Sequence, residues 1–297
     1  MPQPQPQTGT LRQLSVKVLA LVTLLAAVCH TMLEFTPYLR WLGHDRVLHV
    51  ALHQAQQKVP SAKVVVFGDS VCRQLYGPKS YRGEVFSLAT NFGVSLLGQR
   101  ILMDLWLENN PVPRGRDLVL VLNPDSFANA LDQKYTYNNL IKPFWRSPWR
   151  NRFDPLETDR IKAFDFHWLA RFPFVRISNW CPSEIPSFAD EPRFKEVHLS
   201  RLSIHELKKM EASARQHGVR LRLLAGVVSE SNRARDFTLF KLQLKEAGLE
   251  PLFSEYFASA RYLPDHLFVD EAGVRLHLKN PQALGRDALD LLKASAL

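Results

Sequence analysis

The chain has 297 residues, of which 46% are hydrophobic, and its formal net charge is +9. This length and composition indicate one large globular domain, or one domain with an insertion, and exclude a disordered chain. A basic chain suits an anionic polysaccharide, an anionic lipid surface or nucleic acid as its partner. The sequence has no compact Lys/Arg block and no nucleic-acid-binding signature, so we expect no nucleic acid partner.

The three cysteines form no Cys-x-x-Cys pair, which argues against a zinc knuckle. We expect separate thiols, with a Cys72–Cys181 disulfide as the alternative.

The N-terminal segment differs from the rest of the chain. Residues 1–14 begin with a Pro/Gln-rich stretch and are predicted to be disordered, whereas residues 15–34 hold an apolar run just long enough to span a bilayer. A signal peptide has the same layout, but no clear Ala-x-Ala cleavage site follows, so we favour an uncleaved anchor over a signal peptide or a buried core helix. The body would then be tethered to the inner membrane, on the extracytoplasmic (periplasmic) side.

The body shows strands and helices in alternation. A juxtamembrane helix is predicted over residues 35–60 and an α/β domain over residues 61–297. The alternation predicts a three-layer, flavodoxin-like α/β fold with a mostly parallel sheet and helices on both faces. The predicted strands are 63–67, 85–89, 118–122, 219–228 and 249–253, and the predicted helices are 94–108, one that opens at the capping-box pattern Ser203-Ile-His-Glu206, 236–247, and the segment after Asn280-Pro281.

Residues 133–196 interrupt this alternation and are predicted to form an inserted cap. The segment is rich in Trp, Phe, Arg and Pro. Its aromatic side chains would stack on sugar rings or rest on a membrane surface; the alternative is that they form a small satellite core.

The turn Gly68-Asp69-Ser70 directly follows the β-branched apolar run 63–67, which is typical of a buried parallel strand. The carboxyl ends of parallel strands form the ligand-binding edge of an α/β sheet, so Ser70 is placed where a nucleophilic serine would stand. The same three residues are also common in turns and helix caps, so the partners of the serine decide its role.

A nucleophilic serine needs a base, a group that orients the base, and donors for the oxyanion. Of the ten histidines, His266 and His277 follow the last predicted strand and can reach the same sheet edge. We favour His277 as the base, with Asp270 as its orienting carboxylate. The alternative is His266 with Asp265, although neighbouring side chains rarely bond each other well.

The oxyanion donors are expected at the other strand ends. The backbone N–H groups of Ser70 and Gly93 and the side-chain amide of Asn123 could converge on one carbonyl oxygen. Each of these residues also occurs in ordinary turns, but three such turns that each follow a strand favour a shared site.

The chain resembles the SGNH (GDSL-type) hydrolase superfamily in four features, which are Gly68-Asp69-Ser70, Asn91-Phe92-Gly93, Asn123 after a strand, and a C-terminal Asp/His pair. The segments 88–98 and 120–126 are similar to its membrane-anchored extracytoplasmic branch, such as the teichoic-acid D-alanylation and alginate O-acetylation proteins. The resemblance covers the body from about residue 60, except the cap. It implies that Ser70 is the nucleophile, that Gly93 and Asn123 complete the oxyanion hole, and that His277 and Asp270 form the base pair.

The resemblance also implies an activity, namely a serine esterase or O-acyltransferase acting on acylated cell-envelope polysaccharide, without a cofactor or metal. Its expected partners are an acylated glycan or other ester substrate, the inner membrane, and other envelope-assembly proteins.

Two features depart from the family. Asp270 and His277 are seven residues apart, where the family usually has Asp-x-x-His, and Leu122-Asn123-Pro124-Asp125 replaces the usual Gly-x-Asn-Asp block. The first departure supports the alternative, a catalytically degenerate domain that binds polysaccharide or serves as an assembly scaffold.

Overall fold

A computed structural model of the protein describes residues 8–35, 45–59, 62–77, 85–111, 116–146, 148–172, 175, 178–185, 197–269, 275–284 and 292. Its described α-helices of five or more residues are α1 (Thr8–Phe35), α2 (Asp45–Ala55), α3 (Ser70–Tyr76), α4 (Ser95–Asn109), α5 (Pro155–Lys162), α6 (Arg201–Gln216), α7 (Thr238–Ala247) and α8 (Ser254–Ala258).

The N-terminal helix α1 is long and apolar enough to cross a membrane. Its segment Leu11–Met32 has 22 residues and none of it is buried, and 22 helical residues span about 33 Å, close to the thickness of a bilayer core. This exposure rules out the core-helix alternative and leaves a membrane anchor or a signal sequence. The helix begins at Thr8, so the predicted disorder does not extend over residues 8–14, since the apolar helix propagates towards the N-terminus. Residues 1–7 lie outside the described part of the chain.

The centre of the body is a parallel sheet of four strands. The strands β1 (Val64–Gly68), β2 (Val85–Ser87), β3 (Asp117–Val121) and β4 (Arg220–Leu224) lie in the order β2-β1-β3-β4. This is the strand order of a flavodoxin-like doubly wound sheet, in which ligands bind beyond the carboxyl ends of the strands where the order reverses. Here that point lies between β1 and β3. The predicted α/β fold with a parallel sheet is confirmed.

Helices cover both faces of this sheet. Val65 and Leu118 point into a core shared with α2, α4 and α6, whereas Val66 and Val119 point into a second core shared with α3. Since both faces are buried, β1 and β3 are almost wholly apolar, whereas β4 alternates arginine and leucine over its first four residues. The predicted juxtamembrane helix 35–60 corresponds to α2, and residues 36–44 and 60–61 lie outside the described ranges.

Two strand predictions are wrong. The predicted strand 219–228 is divided into β4 and β5 (Val227–Ser229), because Gly226 adopts φ +69° and turns the chain away from the main sheet. Strand β5 pairs with β6 (Arg261–Leu263), which sequence reasoning missed, in a separate parallel sheet. The predicted strand 249–253 is a 3₁₀ helix, Glu250–Phe253, with Pro251 in its first turn.

Many of the described residues of the insertion 133–196 pack into the main core instead of covering it loosely. Trp145 and Phe144 are fully buried and belong to the same cluster as the sheet residues. These rings are therefore unavailable for sugar or membrane contact, whereas Phe166 and Trp168 are exposed.

A buried ion-pair network joins the insertion to the body. The Nε of Arg100 on α4 donates to Glu206 on α6 at 2.5 Å, and its Nη2 lies 3.4 Å from Glu157 on α5. Burial, and then a hydrogen bond with Glu157, raises the pKa of Glu206 to about 8. This use of Glu206 corrects the predicted capping box: α6 is capped by Ser200, whose hydroxyl accepts from the N–H of Ser203.

Candidate active site

The turn after β1 places Ser70 at the first residue of helix α3. Gly68 ends the strand with φ +152°, and a Cβ on this residue would lie 2.0 Å from the carbonyl oxygen of Val121. Asp69 then caps α3 by accepting hydrogen bonds from the N–H groups of Val71 (2.9 Å) and Cys72 (3.3 Å). Only glycine fits at position 68, and the cap fixes the direction of the helix. The half-buried Ser70 stands beyond the carboxyl end of β1.

Asp69 also binds the turn after β3. Its Oδ2 accepts hydrogen bonds from the backbone N–H of Asn123 at 2.8 Å and from the hydroxyl of Ser126 at 2.6 Å. The carboxyl group is almost fully buried. Burial raises its pKa above the ordinary value, while the hydrogen bonds, that of Ser126 first, oppose this rise. One buried side chain thus holds the ends of β1 and β3 in a fixed relation.

The turn after β2 is tied to the same glycine. The carbonyl oxygen of Gly68 accepts from the N–H of Thr90 at 2.8 Å and from the Nε2 of Gln99 at 2.9 Å. Gln99 Oε1 in turn accepts from the N–H of Gly68 at 3.2 Å. The ends of three neighbouring strands are therefore joined by buried polar groups.

His277 reaches Ser70 from the other end of the chain. Its Nε2 lies 2.9 Å from Ser70 Oγ, a hydrogen bond between residues 207 positions apart. This is the distance that proton transfer from a serine to a histidine base requires. The structure therefore brings together the predicted nucleophile and the favoured base.

Two contacts hold the segment that carries His277. Leu278 forms an antiparallel bridge with Phe268 and is buried against the second core. Gln74, on α3, donates to the carbonyl oxygen of Leu278 at 2.7 Å and accepts from its N–H at 2.9 Å. Because α3 also carries Ser70, Gln74 fixes the histidine segment relative to the serine.

The predicted acidic partners have different outcomes. Asp270, the favoured orienting carboxylate, lies outside the described residues. Asp265 accepts hydrogen bonds from the N–H of Ser231 (2.9 Å) and from Arg275 (2.7 Å), and these contacts hold its pKa below the ordinary value. Its neighbour His266 is exposed on a short 3₁₀ helix. Of the two candidate bases, His277 forms a hydrogen bond with Ser70 in the structure, and His266 does not.

The predicted oxyanion donors lie in the turns that follow β2 and β3. Gly93 is buried in a 3₁₀ turn, and a Cβ there would lie 2.6 Å from Asn139 Nδ2 and 2.7 Å from the ring of Tyr135, so the insertion crowds this position. Asn123 uses its Oδ1 to accept from the N–H of Asp125 at 3.0 Å. This cap leaves the Nδ2 group as the donor that an oxyanion role would need. Both roles, like that of the Ser70 N–H, stay predictions.

One group of potential metal ligands occurs among the described residues, away from Ser70. The ligand atoms of Asp154, Glu157, His205 and Glu206 lie within 4.8 Å of one another. The ammonium group of Lys209 lies 2.8 Å from Glu157 and 3.0 Å from Asp154, and Arg100 pairs with Glu157 and Glu206, so cations of the protein already pair with these carboxyl groups. We assign it to the network that joins the insertion to the body, and the expectation of a reaction without metal or cofactor stays a prediction.

Sequence reasoning missed the residues that hold the site together, namely Gln74, Thr90, Gln99 and Ser126. A signal existed for Gln74, since it lies four positions after Ser70 and thus on the same face of a helix. No local pattern marks the other three, because each acts through a contact between separate strand ends.

Comparisons with known proteins add little to this geometry. No family model matches the sequence, and no curated protein matches it. A solved structure from Streptococcus pneumonia, provisionally described as a platelet activating factor, is similar over 86% of this chain and 92% of its own, with 13% identity and a TM-score of 0.37. That TM-score is too low to establish a common fold. Membership of the SGNH superfamily stays a prediction from the motifs.

The close packing at Gly68 can be tested against a second glycine with positive φ. Gly248 has φ +70° and open space around the added Cβ. We expect Gly248→Ala to lower the free energy of unfolding by about 1 kcal/mol through backbone strain alone. Gly68→Ala should cost at least about 3 kcal/mol, because overpacking against Val121 and Cys72 adds to the strain. Chemical denaturation followed by tryptophan fluorescence measures both; equal losses would show that the turn has room for a side chain.

Proposed function

We propose that this protein is a serine esterase or O-acyltransferase of SGNH type that acts on acylated cell-envelope polysaccharide. The observation that carries the proposal is the 2.9 Å hydrogen bond between Ser70 Oγ and His277 Nε2, at the edge of a parallel α/β sheet where such enzymes place their chemistry. The sheet position alone would suit many functions, and the paired serine and histidine favour acyl transfer among them.

In the proposed mechanism, His277 Nε2 accepts the proton of Ser70 as Oγ attacks the carbonyl carbon of the ester. The negative charge on the carbonyl oxygen would be stabilised by the N–H groups of Ser70 and Gly93 and by the side-chain amide of Asn123. The tetrahedral intermediate then expels the alcohol, which takes the proton from His277, and an acyl-serine remains. Asp270 would orient the imidazole.

Water or a sugar hydroxyl would resolve the acyl-serine by the reverse steps. His277 accepts a proton from the incoming hydroxyl group, and Ser70 regains its proton when the acyl group leaves. Hydrolysis and transfer therefore use the same residues and differ only in the acceptor.

We further propose that α1 anchors the body to the outer surface of the inner membrane, where the glycan and other envelope-assembly proteins would be available. The length and exposure of Leu11–Met32 support this location.

The alternative of a catalytically degenerate scaffold has less support. Its basis was the unusual spacing between Asp270 and His277. A scaffold has no need of a hydrogen bond between Ser70 and a histidine from the far end of the chain, nor of the glutamine clamp on Leu278.

Ester cleavage separates the two functions. We expect the detergent-solubilised full chain to hydrolyse p-nitrophenyl acetate, and we expect Ser70→Ala and His277→Ala each to lower kcat/KM by about 10²–10⁴-fold. His266→Ala is the control and should change it less than about twofold, because this exposed side chain lies outside the described hydrogen bonds of Ser70. Wild-type activity no greater than that of Ser70→Ala would favour the scaffold. Loss of activity in His266→Ala would show that His266, and not His277, is the base.

The clamp formed by Gln74 provides a separate test of how His277 is positioned. We expect Gln74→Met to lower kcat about 10- to 100-fold with little change in KM, because the imidazole loses its alignment with Ser70. Gln243→Met is a matched control, since Gln243 makes the same two hydrogen bonds to the backbone of Leu199. Both variants should lose similar stability, about 1–2 kcal/mol. If kcat falls equally in both, the clamp has only a structural role.

A further inference from the structure

A cavity of about 170 Å³ extends to the turn after β3. One of its lining residues is Pro124 in the turn after β3, and Pro124 directly follows the predicted oxyanion residue Asn123. Consecutive Cα atoms are about 3.8 Å apart, so a molecule in the cavity would lie close to the turn that carries Asn123. Neither Ser70 nor His277 lines it. The lining residues used below are Asn232, Arg233, Arg235, Lys241, Phe257 and Tyr262.

The lining of this cavity is positively charged. It includes Arg233, Arg235 and Lys241, and no carboxylate occurs among the described residues that line it. Arg235 is paired with Asp125 through both of its terminal nitrogens, so its charge is largely neutralised. Among the described residues, Arg233 makes one ion pair, an exposed one with Glu230 at 3.9 Å, and solvent screens such a pair. Arg233 and Lys241 therefore supply a net positive charge to the cavity.

Aromatic rings hold these two cations in place. The guanidinium of Arg233 lies 4.7 Å from the ring centroid of Tyr262, and the ammonium of Lys241 lies 5.3 Å from that of Phe257. Such cation–π contacts orient a charged group without neutralising it. A guanidinium stacked by its face still presents its N–H groups at the edge, in the geometry that binds a carboxylate or phosphate.

We propose that this cavity binds an anionic group, a carboxylate or a phosphate, carried by the substrate or acceptor of the acyl transfer. Its volume is below the roughly 300–1,000 Å³ of pockets that enclose drug-sized ligands, so it takes one ionic group and its neighbouring atoms while the rest of the molecule extends outside. Asn232 adds a neutral donor and acceptor. The role in acyl transfer rests on the proposed function, but anion binding does not.

Binding is measured by titration calorimetry on the full chain in detergent, with sodium glucuronate, inorganic phosphate and glucose as separate probes. We expect glucuronate or phosphate to bind and neutral glucose to leave no signal, and the affinity should fall between about 50 and 200 mM salt as screening increases. The double variant Arg233→Gln/Lys241→Gln should weaken binding at least tenfold. The probe that binds more tightly identifies the anionic group as a carboxylate or a phosphate.

The control is Arg215→Gln/Lys245→Gln, which removes the same charge at two exposed positions that do not line the cavity. It should change the affinity less than twofold. Equal loss in both double variants would mean a general charge effect, and no binding of either anion, or binding that survives Arg233→Gln/Lys241→Gln, would overturn the proposal. Because calorimetry needs no turnover, a failed esterase assay with intact anion binding would contradict the enzyme function alone.

Discussion

The buried carboxyl group of Asp69 is the constraint on which the site depends. It caps the helix that begins with Ser70, and it receives hydrogen bonds from the turn after β3. A buried carboxylate is unfavourable unless its oxygens are hydrogen-bonded. The two donors from the turn after β3 reach this carboxyl group only when β1 and β3 are in register. The strand register, the direction of α3 and the position of Ser70 are therefore set together.

The second half of the site comes from a distant part of the sequence. The segment around His277 forms a bridge with Phe268 and packs against the second core, and Gln74 holds it by both backbone groups of Leu278. A serine and a histidine 207 positions apart meet because one helix carries both the nucleophile and the clamp for the base. The arrangement is typical of a preorganised site, in which positioning residues away from the reacting atoms set the geometry.

Local patterns in the sequence were sufficient for the parallel sheet and for the turn that carries Ser70. The β-branched runs of β1 and β3 are buried on both faces, and such runs have few alternatives. Local patterns failed where a distant contact decides the structure. Gly226 divides the predicted strand 219–228 between two sheets, and Glu206 looks like a capping residue but is buried against Arg100. The cavity could not have been predicted at all, because its walls come from three separate segments.

Covalent labelling with a fluorophosphonate tests whether Ser70 is a nucleophile that His277 activates. The serine oxygen would attack phosphorus and fluoride would leave, so mass spectrometry of the digested protein locates the adduct. We expect one dominant adduct, on Ser70, that forms in the wild type and in His266→Ala but much more slowly in His277→Ala. Labelling of Ser70 at the same rate in His277→Ala, or no adduct on Ser70 in the wild type, would contradict this expectation.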